Sequence, residues 1–455
     1  MTDDTASLFC PLEFRYGRAS VRDLFSRGAR LARALRVEAA LAASQAELGI
    51  VPTEAAEAIG RVANLDHVRL NDVDELERKT RHDVMAITRA LANAAGPAGR
   101  WVHYGATSAD ITDTALALEL SESASVLRAD LVALVKILVE LARRYRATPE
   151  IGRTHGQHGV PISFGYKMAV AAAEVARHVR RLDELLPRLA VGKMAGAVGT
   201  GAGFGPRAAE VEAGVMRRLE LTADEAPTQI VGRDRIAEFT SFLALVAATA
   251  ERLSTEVRNL QRTEIGEVAE PFDEAEQVGS STMAQKRNPT VCENVTSLAR
   301  LVRAFALPPL ENMVQWHERD LANSANERIV LPHAIVLTDD LLSKLADVFR
   351  GLQVDASRMA EQITAGGGSA MTESLMLALT SKGLARAEAH ELLRRLTRPS
   401  KKAGGLAERA RADPTVRAHL SAEEIDQLLD SERYVQAAAT KTDRIVARIE
   451  KDFRR

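Results

Sequence analysis

Two stretches of this chain, Ala106 to Thr148 and Arg233 to Ile265, contain neither glycine nor proline. Both are rich in Ala, Leu, Glu and Arg, residues that lose little rotamer freedom in a helix. Their apolar positions keep a heptad rhythm. In the first, Leu120, Ala124, Leu127, Leu131, Leu134, Leu138, Leu141 and Tyr145 follow alternating steps of four and three. In the second, Ile236, Phe239, Leu243, Val246, Ala250, Leu253, Val257 and Leu260 do the same. A seam of this length puts one apolar stripe on each helix and favours near-parallel packing. The feature points to long helices bundled side by side.

The rest of the chain agrees. Pro161 to Leu186 reads as an Ala-rich helix whose small residues permit close approach. Asn288 to Leu307 and Leu310 to Arg350 read as two more, the latter interrupted near Pro332. No run of alternating β-branched residues competes. The expected fold is all-α: a central long-helix bundle over 106–353, an N-terminal helical region 1–105, and a C-terminal helical region 354–455. Gly366-Gly367-Gly368-Ser369 reads as a joint. Helices this long leave apolar stripes that one chain does not fully cover, so homo-oligomerisation through the bundle is expected.

Bulk properties narrow the function. At 455 residues the chain is too long for one simple core. Its net charge is −2, and its basic runs are short pairs such as Arg143-Arg144 and Lys401-Lys402, so neither nucleic acid nor a membrane is expected as a partner. Cys10 and Cys292 form no framework, and a reducing compartment fits. Met1 to Asp4 has no signal-peptide character, and no apolar run is long enough to span a bilayer. A cytoplasmic protein is expected.

Four segments look chemical. Gly279 to Pro289 (Gly-Ser-Ser-Thr-Met-Ala-Gln-Lys-Arg-Asn-Pro) packs three hydroxyls, two cations and two amides into eleven residues between helices. It is either a polar linker or a mobile loop whose serine acts beside a lysine and amide donors that favour an alkoxide. Gly152 to Gly159 holds His155 and His158, read as a weak metal pair without a third ligand or as an acid/base histidine. Trp101 to Asp110 places Thr107 and Ser108 at the start of the first long helix, where backbone amides suit an anion as well as a simple cap. Trp316 to Arg328 carries Arg319 and Arg328. On a straight helix these point to different faces, and they converge on one ligand only if the segment bends. Gly199 to Gly205 lacks the dinucleotide-binding spacing, and Gly192-Lys193-Met194 is no phosphate loop.

These segments occur together, in this order, in one family. The Gly279–Pro289 loop resembles the signature loop of the fumarase/aspartase superfamily. Within it the chain is most similar to the adenylosuccinate lyases, particularly archaeal forms. The likeness runs from Phe14-Arg15-Tyr16 to about Leu352, and weakly beyond. It passes through Arg81-His82-Asp83-Val84, Trp101 to Thr114, Gly152 to His158, Gly196 to Thr200, Glu256 to Phe272 and Trp316 to Pro332. The resemblance implies a site shared between subunits of a homotetramer, acting on a nucleotide-like succinyl substrate without metal or organic cofactor. Ser280 would take the proton from the succinyl carbon. Lys286, Asn288 and loop amides around Ser281 would hold the aci-carboxylate. His155, oriented by Glu293, would protonate the departing nitrogen. Thr107 and Ser108 would bind a carboxylate, and Gln229 would contact substrate. His82, Asp83 and His103 would line the pocket. Arg15, Tyr16, Arg319, Ser324 and Arg328 would hold phosphate and ribose. The implied reactions release fumarate from adenylosuccinate and from the succinyl-carboxamide ribotide of purine synthesis.

Four positions depart from the family pattern. Ala284 and Gln285 replace Pro and His in the loop, Ala195 replaces a serine, and Ala325 replaces a second serine. They keep an alternative open: a related lyase or cycloisomerase of the nitrosuccinate or 3-carboxymuconate type. A non-catalytic helical scaffold is a third reading, opposed by the presence of Ser280, Lys286, His155 and Glu293.

Overall fold

The computed structural model describes residues 8–398 and 405–453; Met1 to Asp4 and the Lys401-Lys402 pair lie outside the described residues. In chain order the longer helices are α1 (Arg27–Glu47), α2 (Ser108–Arg144), α3 (Phe164–Leu189), α4 (Asp234–Leu260), α5 (Thr290–Ala304), α6 (Ser324–Arg350) and α7 (Glu432–Phe453). The two stretches without glycine or proline are α2 and α4. Every residue of the α4 seam, from Ile236 to Leu260, is buried, as are all of the α2 seam except the half-buried Tyr145. The heptad rhythm therefore identified the packed faces correctly.

Contacts divide the chain into two compact units. The first comprises Met1–Leu131, His178–Glu251 and Val295–Lys344, and the second Val132–Arg177, Arg252–Asn294 and Leu345–Arg455. In the first unit, α1 begins after Ser26, whose hydroxyl accepts the Ala29 N–H at 3.2 Å. One core gathers around Leu35, Ile59 and Leu91, and another around Leu41, Ile111, Met194 and Val215. In the second unit, helices Thr372–Ser381 and Arg386–Leu396 pack around Leu375, Leu379 and Leu393. The glycine joint before them turns through left-handed Gly367 and Gly368, with φ of 58° and 86°.

The structure corrects two readings. The helix expected from Pro161 begins only at Phe164, because β1 (Pro149–Thr154) and β2 (Gln157–Ser163) form an antiparallel hairpin that pairs Ile151 with Pro161. Gly152 is needed there, since a Cβ would lie 2.7 Å from the Val160 carbonyl oxygen. The second correction concerns Leu310 to Arg350. The break is not at Pro332, which sits inside α6. It spans 312–323, where Asp320 accepts the N–H groups of Trp316 (2.9 Å) and Ala322 (2.7 Å). Such side-chain bonds offer the backbone an alternative to helix. Pro332 forfeits one helical bond, and its neighbours Leu331 and Ile335 are buried firmly enough to hold the turn. No helix among the described residues is long and apolar enough to cross a membrane.

Candidate active site

The first unit contains a cleft of about 990 Å³. Helix Leu70–Thr80 ends at Arg81, whose left-handed φ of 53° turns the chain into helix Asp83–Ala94. His82 caps that helix, its Nδ1 accepting the Met85 N–H at 3.3 Å. Asp83 accepts from Val84 N–H at 2.8 Å and from Arg328 at 2.7 Å. Burial pushes the Asp83 carboxyl up, but the Val84 N–H and the Arg328 charge outweigh it and hold it below its ordinary value.

Thr107 and Ser108 stand at the start of α2. Their position depends on Asp110, which is fully buried. Its carboxylate accepts the N–H groups of Thr107 (2.8 Å), Ala195 (2.9 Å) and Gly196 (3.1 Å) and pairs with the buried ammonium of Lys193. The helix start is thus tied to the turn at 195–196. On another wall, Gln229 accepts from Arg319 at 3.0 Å and donates to the Ala197 carbonyl at 3.0 Å. Behind it, buried Arg233 grips Asp113 through two hydrogen bonds of 2.7 and 3.0 Å and Glu327 through a third of 3.0 Å.

Of the expected substrate residues in this unit, His82, Asp83, Thr107, Ser108, Gln229, Arg319, Ser324 and Arg328 line this one cleft. The bend over 312–323 is what lets Arg319 and Arg328 both reach it. Arg15, Tyr16 and His103 do not line it. Arg15 is exposed after helix Pro11–Phe14, with its guanidinium carbon 5.9 Å from the Tyr16 ring centre. His103 is held by Glu38, Nδ1 to Oε1 at 2.7 Å. Burial lowers its imidazole, but the hydrogen bond and charge of Glu38, with the charge of Asp110, reverse this and leave it above its ordinary value.

The remaining expected residues belong to the second unit. His155 sits at the tip of the β1–β2 hairpin, in a two-residue turn with φ of 55° at His155 and 72° at Gly156. Two positive φ values are the signature of the tight turn that matches strand twist. A histidine is an uncommon occupant of its first position. It is exposed, as is Glu293 in the first turn of α5, and no hydrogen bond joins the two among the described residues. His158 lies on β2 opposite Arg153. No group of three His, Cys, Asp or Glu among the described residues is placed to hold a metal.

The Gly279–Pro289 segment is an irregular loop with Ser281 to Arg287 exposed. Ser280 Oγ accepts two backbone N–H groups, from Thr282 at 3.3 Å and Met283 at 3.2 Å. These donors would stabilise a developing alkoxide. The neck is closed by Asn288, whose Nδ2 donates to the Gly279 carbonyl at 3.1 Å. Gly279 itself lies against Lys286, where a Cβ would meet the carbonyl oxygen at 2.1 Å.

Sequence reasoning missed Asp110, Lys193, Asp113 and Arg233. Thr107 and Asp110 do show the three-residue spacing of a capping box. Nothing in the linear sequence links Asp113 to Arg233.

Known proteins resemble this chain along nearly its whole length. A family model described as "Lyase" matches residues 14–304, and one described as "Adenylosuccinate lyase C-terminus" matches 368–445. The chain is 44% identical to an adenylosuccinate lyase of Pyrococcus abyssi, over 98% of this chain and 99% of that one. Its fold is similar to that of a fumarate lyase from Mesorhizobium sp. BNC1, with TM-score 0.87, 32% identity, and 95% and 98% of the two chains covered. A 3-carboxy-cis,cis-muconate lactonizing enzyme from Pseudomonas putida gives TM-score 0.86 and 32% identity, over 96% and 98% of the chains.

Proposed function

The chain belongs to the fumarase/aspartase-type lyases, in the adenylosuccinate lyase family, and from that premise we propose that it releases fumarate from adenylosuccinate, leaving AMP. The succinyl-carboxamide ribotide of purine biosynthesis is cleaved in the same way. The observation that carries the proposal is the cleft. Eight residues from separate chain segments converge on it with the groups that a phosphorylated, succinylated base requires. Arg319, Ser324 and Arg328 hold phosphate and ribose; Arg15 and Tyr16, which do not line the cleft in the single chain, join them only in the assembled oligomer. Thr107 and Ser108 take a carboxylate at the head of α2, and Gln229 contacts the substrate. His82 and Asp83 line the pocket, which His103, held by Glu38, does not reach in the single chain.

In the proposed reaction Ser280 takes a proton from the succinyl carbon, its oxygen stabilised by the Thr282 and Met283 N–H groups. Negative charge gathers on the adjacent carboxylate, where Lys286, Asn288 and the backbone at Ser281 receive it. The carbon–nitrogen bond then breaks, the carbon–carbon double bond of fumarate forms, and His155 gives a proton to the leaving nitrogen. Glu293 orients His155. The elements of the site are completed in a cytoplasmic homotetramer with sites shared between subunits. Supporting this, α3, α4, α5 and α6 expose Val170, Leu245, Leu301 and Ile329 to water in the single chain, each more than 40% accessible.

A second reading has one specific support: Ala284 and Gln285 in the loop, together with the likeness to the lactonizing enzyme. The test is fumarate release from adenylosuccinate and argininosuccinate side by side, with turnover of 3-carboxymuconate measured separately. Adenylosuccinate is the expected substrate, and Ser280→Ala should lower kcat by about 10²- to 10⁴-fold. Turnover of 3-carboxymuconate alone would move the assignment to the second reading. Undiminished activity in Ser280→Ala would remove the serine from its role.

A further inference from the structure

The segment Glu256 to Phe272 carries part of the family likeness, yet none of its residues has a role in the scheme above. Gln261 follows the last turn of α4, its N–H bonded to the Val257 carbonyl at 2.9 Å. Its side chain works in two directions. Oε1 accepts the Glu270 N–H at 3.0 Å, and Nε2 donates to the Arg287 carbonyl at 3.2 Å. Residues 270 and 287 are the two stems of the excursion that carries Ser280 and Lys286.

Glu270 extends the tie. Its buried carboxylate accepts the N–H groups of Val291 at 3.1 Å and Cys292 at 2.6 Å, in the first turn of α5. The incoming stem is therefore joined to the outgoing one twice, once through the Gln261 amide and once through the Glu270 carboxylate. A carboxamide suits the first position, because its terminus offers an acceptor to one stem and a donor to the other.

We propose that Gln261 is a positioning residue for the proton-abstracting loop: one amide bridges both stems and so sets where Ser280 is presented. The proposal rests on Ser280 being the base. An active site tolerates little misplacement, since about 1 Å costs up to ~10²-fold in rate. Losing two neutral hydrogen bonds from a half-buried side chain costs far less in global stability.

The experiment compares wild type, Gln261→Met and Gln261→Glu as full-length proteins. Methionine keeps the length and loses both bonds, whereas glutamate keeps the acceptor and loses the donor. Three quantities are read: kcat and KM with adenylosuccinate, Tm, and the rate of tryptic cleavage after Lys286 and Arg287 followed by mass spectrometry. For Gln261→Met we expect kcat to fall about 10- to 100-fold with KM within about two-fold. Tm should move by only a few degrees, and loop cleavage should accelerate several-fold. Gln261→Glu keeps the bond from the Glu270 N–H but sets a carboxylate oxygen against the Arg287 carbonyl, so kcat should fall and cleavage accelerate at least as far, and it carries the comparison if the methionine variant does not fold. Unchanged loop cleavage in both variants would overturn the clamp. Faster cleavage with unchanged kcat would overturn its positioning role. A wild type inactive on adenylosuccinate would sink the substrate assignment instead, while the cleavage rates would still decide the clamp.

Discussion

Glu150 offers the sharpest physical test of the second unit. It sits at the foot of the hairpin that carries His155, fully buried. Lys167 Nζ forms an ion pair with Oε1 at 2.9 Å, and among the described residues no well-formed hydrogen bond reaches either carboxylate oxygen. Lys167 also pairs with Glu256, and Arg153 is spent on Glu267 through bonds of 2.8 and 2.7 Å. Three carboxylates thus share two cations. Burial, opposed by Lys167 and reinforced by the charges of Glu267 and Glu256, lifts the Glu150 carboxyl from 4.5 to about 7. Lys167 shows the complementary effect: burial lowers it, but two carboxylates raise it further, so it stays charged.

The sign follows from proton binding. Between about 4.5 and about 7 the folded chain holds a proton on Glu150 that the unfolded chain has released. Stability therefore falls as pH rises through that window. The shift corresponds to about 3 kcal/mol of destabilisation by pH 8. Glu150→Gln mimics the protonated form and should escape it. Urea unfolding at fixed protein concentration, followed by far-UV circular dichroism, should find the variant about 3 kcal/mol more stable than wild type at pH 8. The two should be nearly equal at pH 5. A variant less stable than wild type at pH 8, or a difference that ignores pH, would refute the reasoning.

Three further outcomes are expected. Arg233→Met leaves Asp113 and Glu327 facing each other beneath the cleft, and breaking a buried pair of this kind should cost about 3–5 kcal/mol by the same urea assay. Gly156→Ala meets no atom of the described residues within 4 Å but must adopt φ of 72°, so thermal unfolding should report a pure backbone penalty of about 1–2 kcal/mol. Arg328→Ala should raise KM for adenylosuccinate about 10- to 100-fold, as expected for one lost phosphate contact; an unchanged KM would remove Arg328 from the phosphate site.

Much of the candidate site was legible because its chemistry is carried in short runs. Thr107-Ser108, His155, the Gly279 loop and the Trp316–Arg328 segment could each be picked out, and their order pointed to the family. Their supports were not legible. Asp110 meets Lys193 across 83 positions, and Asp113 meets Arg233 across 120. A charged residue looks the same in sequence whether water or a buried partner receives it.

The sequence alone determined the long helices and their packed faces, because both follow from local residue preference and a repeat shorter than two turns. It also determined the inventory of reactive groups. Only the tertiary structure decided that 149–163 is a hairpin, since strand pairing there depends on a Gly-rich close approach and on the His155-Gly156 turn rather than on residue preference. It alone decided that the chain bends over 312–323 and runs straight through Pro332. Local side-chain bonds won at the first place, and burial against neighbouring elements won at the second. That bend brings Arg319 and Arg328 to one cleft, which a continuous helix would have prevented.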